Sequence, residues 1–247
     1  MTVAALYDIH GNLPALEAVL AEVPEDAVIV VGGDFVGGPW PRQTLERVRD
    51  LGDRALWLRG NADREAAADV RVGMSDEARR SLEWSAKELT EEQRRFIRAL
   101  PEDQVVEVDG LGPTLFCHGS PRSDEEIITA VTSEERLRAI LAGVTAPTVV
   151  CGHTHHQFDR LVDETRVVNA GSVGMPYEGR PGAYWALLGP AVEFRRTAYD
   201  VDAMLDSMGK TDYPDAENHR EILRDDIPTA DWVAEYFERQ ALAQEAL

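Results

Sequence analysis

The chain has 247 residues, 44% of them hydrophobic and 7% aromatic, which is enough apolar mass for one large α/β or layered α+β domain. Asp and Glu number 45 against 25 Lys and Arg, and a net charge of −20 excludes a general binder of nucleic acid or acidic membranes. It does not exclude a small phosphate ligand, because bound divalent cations reverse the field locally.

No apolar run approaches the ~20 residues that span a bilayer. No basic segment precedes an apolar one at the N-terminus, so the expected compartment is the cytoplasm. Residues 3–7 read as a buried strand. Leu13, Leu16, Val19, Leu20 and Val23 then recur at helical spacing, with Asn12 as N-cap and Pro14 in the first turn. Ala27 to Val31 predicts a second strand running into Gly32-Gly33-Asp34. A Gly/Pro loop over 37–41 and a helix from about Gln43 to Leu51 follow. A third strand, Ala55 to Leu58, runs into Arg59-Gly60-Asn61-Ala62-Asp63. Strands alternating with helices imply right-handed βαβ units and a parallel sheet, whose functional loops gather at the carboxyl ends of the strands.

Residues 64–100 predict a helical excursion covering one side of that edge. Within it, Thr90-Glu91-Glu92-Gln93 forms a capping box and Pro101 is the stop. Strands at 104–109 and 114–117 make a hairpin that delivers His118-Gly119-Ser120-Pro121. A helix over 133–142 leads to a strand at 148–151 and Gly152-His153-Thr154-His155-His156. Strands at 158–162, 166–169, 183–188 and 191–197 have no helix between them and predict a second, mainly antiparallel sheet. The acidic last fifty residues hold a helix over about 230–245. No repeat or linker divides the chain, so one domain over 1–247 is expected, with a C-terminal helical extension from about 200. Cys117 and Cys151 read as unpaired, buried small hydrophobes.

Seven polar residues sit at the predicted strand ends: Asp8, His10, Asp34, Asn61, His118, His153 and His155. Each alone has a plainer reading. His10 suits a helix cap, Asp34 suits a turn after two glycines, and a single His-x-His suits a surface. Their joint placement, in a chain of six histidines, points to a metal site. Mixed O and N ligands suit manganese, iron, zinc, nickel or cobalt rather than calcium. Seven ligands are too many for one ion and fit two divalent ions sharing a bridging carboxylate.

The ordered motifs Asp-x-His, Gly-Gly-Asp, Gly-Asn, His-Gly and Gly-His-x-His resemble those of the calcineurin-like metallophosphoesterase superfamily. The wording DIHGN, GNAD, HGSP, GHTHH and NAGSVG looks most like its small bacterial phosphodiesterase branch. The resemblance covers residues 1 to about 200. It implies a four-layer α/β/β/α sandwich, two facing mixed sheets flanked by helices. It also implies a di-metal phosphodiesterase that hydrolyses a small phosphoester through a metal-bridging hydroxide. By the same resemblance Asp8, His10 and His155 hold one metal, Asn61, His118 and His153 the second, and Asp34 bridges.

The chain departs from the family pattern in two places. Many members have His directly after Gly-Asn to protonate the leaving group; here that residue is Ala62, and Asp63 and His156 are the candidate substitutes. Tyr7 stands where a small residue is usual. Asn12, Arg59 and Arg180 are candidate substrate contacts, with Arg64, Ser120, Arg122 and Ser172 behind them, and Trp40 and Tyr177 are candidate stacking surfaces. Two alternatives stay open: a phosphomonoesterase (protein phosphatase or dinucleoside polyphosphate hydrolase), and a non-catalytic scaffold on the same fold, for which the phosphodiesterase-like retromer subunit is the precedent.

Overall fold

Strand β1 (Val3–Leu6) is buried along its whole length, and the reason is visible in how its residues alternate. Val3 and Ala5 point into one apolar core and Ala4 and Leu6 into another, so both faces of the sheet are covered. The computed structural model describes residues 1–68 and 75–245. Within these, β1 pairs in parallel with β2 (Val28–Gly32), and β2 with β3 (Ala55–Leu58). The connections are helices α1 (Leu13–Glu22) and α2 (Pro41–Arg49). Asn12 caps α1 through its side-chain oxygen, as expected. Helix α2 starts two residues earlier than its apolar spacing implies, because Pro41 suits the first helical turn.

Three helices follow: α3 (Asn61–Ala68), α4 (Asp76–Glu88) and α5 (Glu91–Arg98). The capping box at Thr90 and Gln93 is formed in both directions. Residues 69–74 of the expected excursion, and 246–247 of the C-terminal extension, lie outside the described residues.

The second sheet has the order β4-β5-β6-β8-β7. Its strands are β4 (Asp103–Val108), β5 (Gly112–Cys117), β6 (Thr148–Cys151), β7 (Gln157–Val162) and β8 (Thr165–Ala170). Helix α6 (Glu134–Ile140) lies between β5 and β6 in sequence.

Two features correct the sequence expectation. Strands β9 (Ala183–Leu188) and β10 (Val192–Thr197) do not belong to this second sheet; β9 pairs antiparallel with β1, and the first sheet reads β10-β9-β1-β2-β3. Nor is the second sheet mainly antiparallel, since β5, β6 and β8 run in parallel. The burial of β9 accounts for its position. Ala186 and Leu188 enter the core between the sheets while Ala183 and Trp185 pack under the helices that also cover β1. β10 forms the exposed edge and carries Glu193, Arg195 and Arg196, charges that discourage edge-to-edge pairing.

The sheets face each other across Val3, Ala5, Val30, Phe116, Val150 and Val168. Helices α1 to α5 cover the outer face of the first sheet, and α6 covers that of the second, where the free cysteines Cys117 and Cys151 are buried. The result is a four-layer α/β/β/α arrangement. Tyr7 ties the layers together. Its ring occupies the space a Cβ would need at Gly32, and its hydroxyl donates to the Val150 carbonyl at 3.1 Å across the gap. The chain ends in α7 (Val201–Met208), α8 (Ala216–Arg220), a π-helical turn over Glu221–Asp225, and α9 (Ala230–Glu245). No described helix is long and apolar enough to cross a membrane.

Candidate metal centre

The parallel strands β1, β2 and β3 end at one edge of the first sheet, and β5 and β6 end at the matching edge of the second. Asp8, Asp34, Asn61, His118, His153 and His155 all leave these strand ends, and the turns that carry them are unusual. Among described non-glycine residues six have positive φ, and five of those are Asp8 (51°), His10 (46°), Asp34 (54°), His153 (67°) and His155 (58°). Backbone held in this sparsely populated region clusters where a site has to be shaped.

The side chains converge as two groups, Asp8 with His10 and His155, and Asp34 with His118 and His153. Asp8 Oδ2 accepts the His153 N–H at 2.9 Å, which leaves Oδ1 toward the centre, 3.2 Å from His155 Nε2 and 3.8 Å from both His10 and His118 Nε2. Asp34 behaves in the same way. Its Oδ1 accepts the Ala62 N–H at 2.8 Å, and its Oδ2 stands 3.3 Å from His118 Nε2 and 4.0 Å from His10 Nε2, between the groups. Atoms bound to one ion at about 2.0–2.1 Å lie about 3 Å apart, so these edges have the size of a coordination shell.

Three imidazoles are oriented by backbone carbonyls. His10 Nδ1 donates to Gly37 at 3.1 Å, His118 Nδ1 to Gly32 at 2.9 Å, and His155 Nδ1 to Met175 at 2.8 Å. Each Nε2 is thereby aimed inward as a ligand. His10 and His155 Nε2 consequently face each other at 3.0 Å, two lone pairs in hydrogen-bond range that need a cation between them. Asp8 Oδ1, Asn61 Oδ1 and His118 Nε2 are buried without a protein hydrogen-bond partner. The donor set therefore fits divalent metal ions.

The charge states fit as well. Burial, reinforced by repulsion from His155, lowers the His10 pKa to about 4. Burial and the His118 charge do the same at His153, also to about 4, so both rings are neutral and ready to ligate. Burial opposes charge on His118 too, but Asp34 and Asp8 outweigh it and push that pKa up to about 10. Asp8 and Asp34 are held below the usual carboxylate range, their histidine neighbours overcoming the burial penalty.

The centre opens into a cavity of about 520 Å³, within the size range of small-ligand sites. His10, Asp34, Asn61, His153 and His155 line its floor. Its walls come from Glu65 of α3, Ser81 and Leu82 of α4, Asp215 and His219 at α8, and Phe237 and Gln240 of α9. Burial, helped by the Asp34 charge and opposed by Arg64, pushes Glu65 up to about 7. None of these wall residues stood out in the sequence. The only signal was the spacing of Asp215 and His219, four apart in a helical run.

The candidate substitutes for the missing His have other work. Asp63 is fully buried and accepts four backbone N–H groups, from Asp34, Phe35, Val36 and Gly60, at 2.7–3.2 Å. Because all four partners donate, the carboxyl is held as the anion, against the burial and the Asp34 charge that push its pKa up. His156 is buried between the Thr154 carbonyl and the Ala130 N–H, and does not line the cavity.

The candidate substrate contacts are not in the cavity wall either. Asn12 is buried, capping α1 and donating to Gly174 and Tyr199. Arg59 pairs with Glu102 and the Arg98 carbonyl. Arg180 is exposed on the loop before β9. Arg64 is taken by Asp124 and Glu125, and Ser120 and Arg122 by Glu126. Ser172 donates to the Asp8 carbonyl and so supports a candidate ligand. Trp40 packs against the C-terminal helices, and Tyr177 stacks on the His155 ring at 4.9 Å.

Residues 1–188 match the model of the calcineurin-like phosphoesterase superfamily domain. The uncharacterized protein MJ0912 of Methanocaldococcus jannaschii is 25% identical over 244 residues, spanning 90% of this chain and 97% of that one. Among solved structures, a metallophosphoesterase from Sphaerobacter thermophilus superposes with a TM-score of 0.74 at 26% identity, over 90% of this chain and 98% of its own. The hypothetical protein PH1004 from Pyrococcus horikoshii OT3 shares the fold with a TM-score of 0.80 at 24% identity, over 90% and 97%.

Proposed function

Because the chain belongs to the calcineurin-like phosphoesterase superfamily, we propose that it is a metal-dependent phosphodiesterase acting on a small phosphoester. The observation that carries this is the pair of inward-facing nitrogens, His10 and His155 Nε2 at 3.0 Å, beside a second ligand group that shares Asp34. In this reading two divalent transition ions (manganese, iron, zinc, nickel or cobalt) are held, one by Asp8, His10 and His155, the other by Asn61, His118 and His153, with Asp34 between them. Bound there, such ions supply Lewis acidity toward phosphoryl oxygens and lower the pKa of water.

The walls favour a diester. No Lys or Arg lines the cavity among the described residues, whereas Glu65, Glu125 and Asp215 do. A dianionic monoester meets carboxylates with no side-chain cation to offset them, and a singly charged diester meets less repulsion. Phe237 and Gln240 offer a ring and an amide to the organic part of the substrate.

The test is a hydrolysis screen of metal-reconstituted protein on matched p-nitrophenyl mono- and diesters. The diester should turn over faster, and Asp34→Ala should abolish the rate. A faster monoester, or an Asp34→Ala protein as active as wild type, would defeat the proposal.

A further inference from the structure

Ala62 leaves the site without the usual proton donor, and Asp63 and His156 are committed elsewhere. One histidine remains outside these motifs. His219 of α8 is 3% exposed and lines the same cavity as Asp34, Asn61 and His155. Its Nδ1 lies 3.2 Å from the Asp215 carbonyl oxygen and 3.5 Å from carboxylate Oδ2, so Nδ1 carries a hydrogen and the ring is oriented. The ring stands at 90° to Tyr213, 5.1 Å away, and the Tyr213 hydroxyl is anchored to Ser81 of α4 at 2.7 Å. His219 Nε2 is buried and has no hydrogen-bond partner. A ring fixed on one nitrogen by the Asp215 carbonyl, with the Asp215 carboxylate beside that nitrogen and the other nitrogen unpaired at an active-site wall, has the layout of a general acid.

We propose that His219, oriented by Asp215, protonates the departing alkoxide in place of the histidine absent at position 62. The proposal rests on the phosphodiesterase reading. As the ester P–O bond breaks, the leaving oxygen keeps the bonding pair and takes the proton from Nε2 of the His219 imidazolium. A water oxygen forms the new P–O bond and releases a proton to solvent, from which the neutral imidazole is recharged. An alcohol and a phosphomonoester result. The donor lies beyond residue 188, outside the segment that carries the family match, so the C-terminal extension completes the active site as well as covering it.

The experiment measures kcat of metal-loaded full-length wild type, His219→Asn, Asp215→Asn and Glu65→Gln on methyl aryl phosphates whose leaving phenols range from strongly to weakly acidic. A general acid contributes about 10²–10⁴-fold where the leaving group needs the proton. His219→Asn should therefore lose at least about 10²-fold on the least acidic phenol and change less than about threefold on the p-nitrophenyl ester. Asp215→Asn, which keeps the packing, should steepen the leaving-group dependence in the same sense, with metal content and thermal midpoint unchanged. An equal loss across the series, no loss at all, or a steepening caused by Glu65→Gln and not by His219→Asn would overturn the assignment. A wild type inert on every member, p-nitrophenyl included, would instead overturn the phosphodiesterase reading itself.

Discussion

Replacing Asp63 with Asn removes one of two acceptors from a cradle of four donors. Oδ2 accepts from Asp34 N at 2.7 Å and Gly60 N at 3.1 Å, and Oδ1 from Phe35 N at 3.0 Å and Val36 N at 3.2 Å. An asparagine oxygen can serve one of these pairs, and its NH₂ then confronts the other two N–H groups. Hydrogen bonds to a charged partner contribute about 1.5–3 kcal/mol each, so losing two costs about 3–6 kcal/mol. That is a large share of the 5–15 kcal/mol by which domains are typically stable, roughly. Because one of the orphaned amides belongs to Asp34 or its neighbours, the Asp34 carboxylate should shift and metal content fall. Equilibrium urea unfolding and elemental analysis of Asp63→Asn measure both effects. Suppose instead the variant unfolds within about 0.5 kcal/mol of wild type, the range of neutral surface changes, yet loses activity on poor leaving groups. Asp63 would then be a proton donor, and the cradle account would be wrong.

Gly60→Ala should empty the site with little change in strand content, because a Cβ there would lie 2.2 Å from Asp34 Oδ1 and 2.6 Å from Asp34 N; metal stoichiometry near wild type would contradict this. Metal binding at neutral pH should release about one proton from His118, which the carboxylates hold charged up to about 10 in the metal-free protein and which ligates only when neutral. Calorimetry in two buffers of different ionisation enthalpy reads that proton directly, and a zero release refutes it. Glu65 ionises at about 7 when folded against an ordinary 4.5, so the folded state binds more protons between those values and metal-free stability falls as pH rises through that window. Glu65→Gln removes the penalty, so its stability advantage over wild type should grow from about pH 5 to about pH 8 in urea titrations; a constant difference would count against the shift.

The candidate ligand positions were legible in the sequence because each lies at or just past a strand end. Asp8, Asp34, Asn61, His118 and His153 are local consequences of where an apolar run stops, and a parallel sheet carries such positions to one edge without further information. The partner of β9 was not legible, since its five buried residues satisfy an antiparallel neighbour in either sheet, and only the three-dimensional cover of Trp185 and Leu188 decides between them. The roles of Asp63 and Arg59 failed for a related reason. Both sit beside Gly60-Asn61, but Asp63 turns into the backbone of the Asp34 loop and Arg59 outward to Glu102, and sequence proximity does not encode that direction. His219 lies 158 residues from Asn61, and nothing local joins it to the site.

Holding five candidate ligands at positive φ has an energetic consequence for the metal-free protein. Each such residue costs of order 1–3 kcal/mol, together roughly as much as a whole domain's stability. Asp and His tolerate the region better than most residues, which places the cost toward the low end. The remainder is offset by bonds that stitch neighbouring loops together. Asp8 N, His10 N and Gly11 N donate to the carbonyls of Gly33, Asp34 and Phe35 at 3.1, 2.8 and 3.0 Å. Val173 N and Gly174 N donate to Tyr7 and Asp8, and Gly152 N to His118, at 2.9–3.0 Å. All of these bonds run between backbone groups and need no ion, which predicts that the protein builds the candidate shell before metal arrives. Chelation should therefore leave far-UV and near-UV circular dichroism essentially unchanged while lowering the thermal midpoint, as expected for a ligand that binds only the folded state. Loss of the near-UV signal on chelation would mean that metal, and not the loop bonds, holds these residues in place.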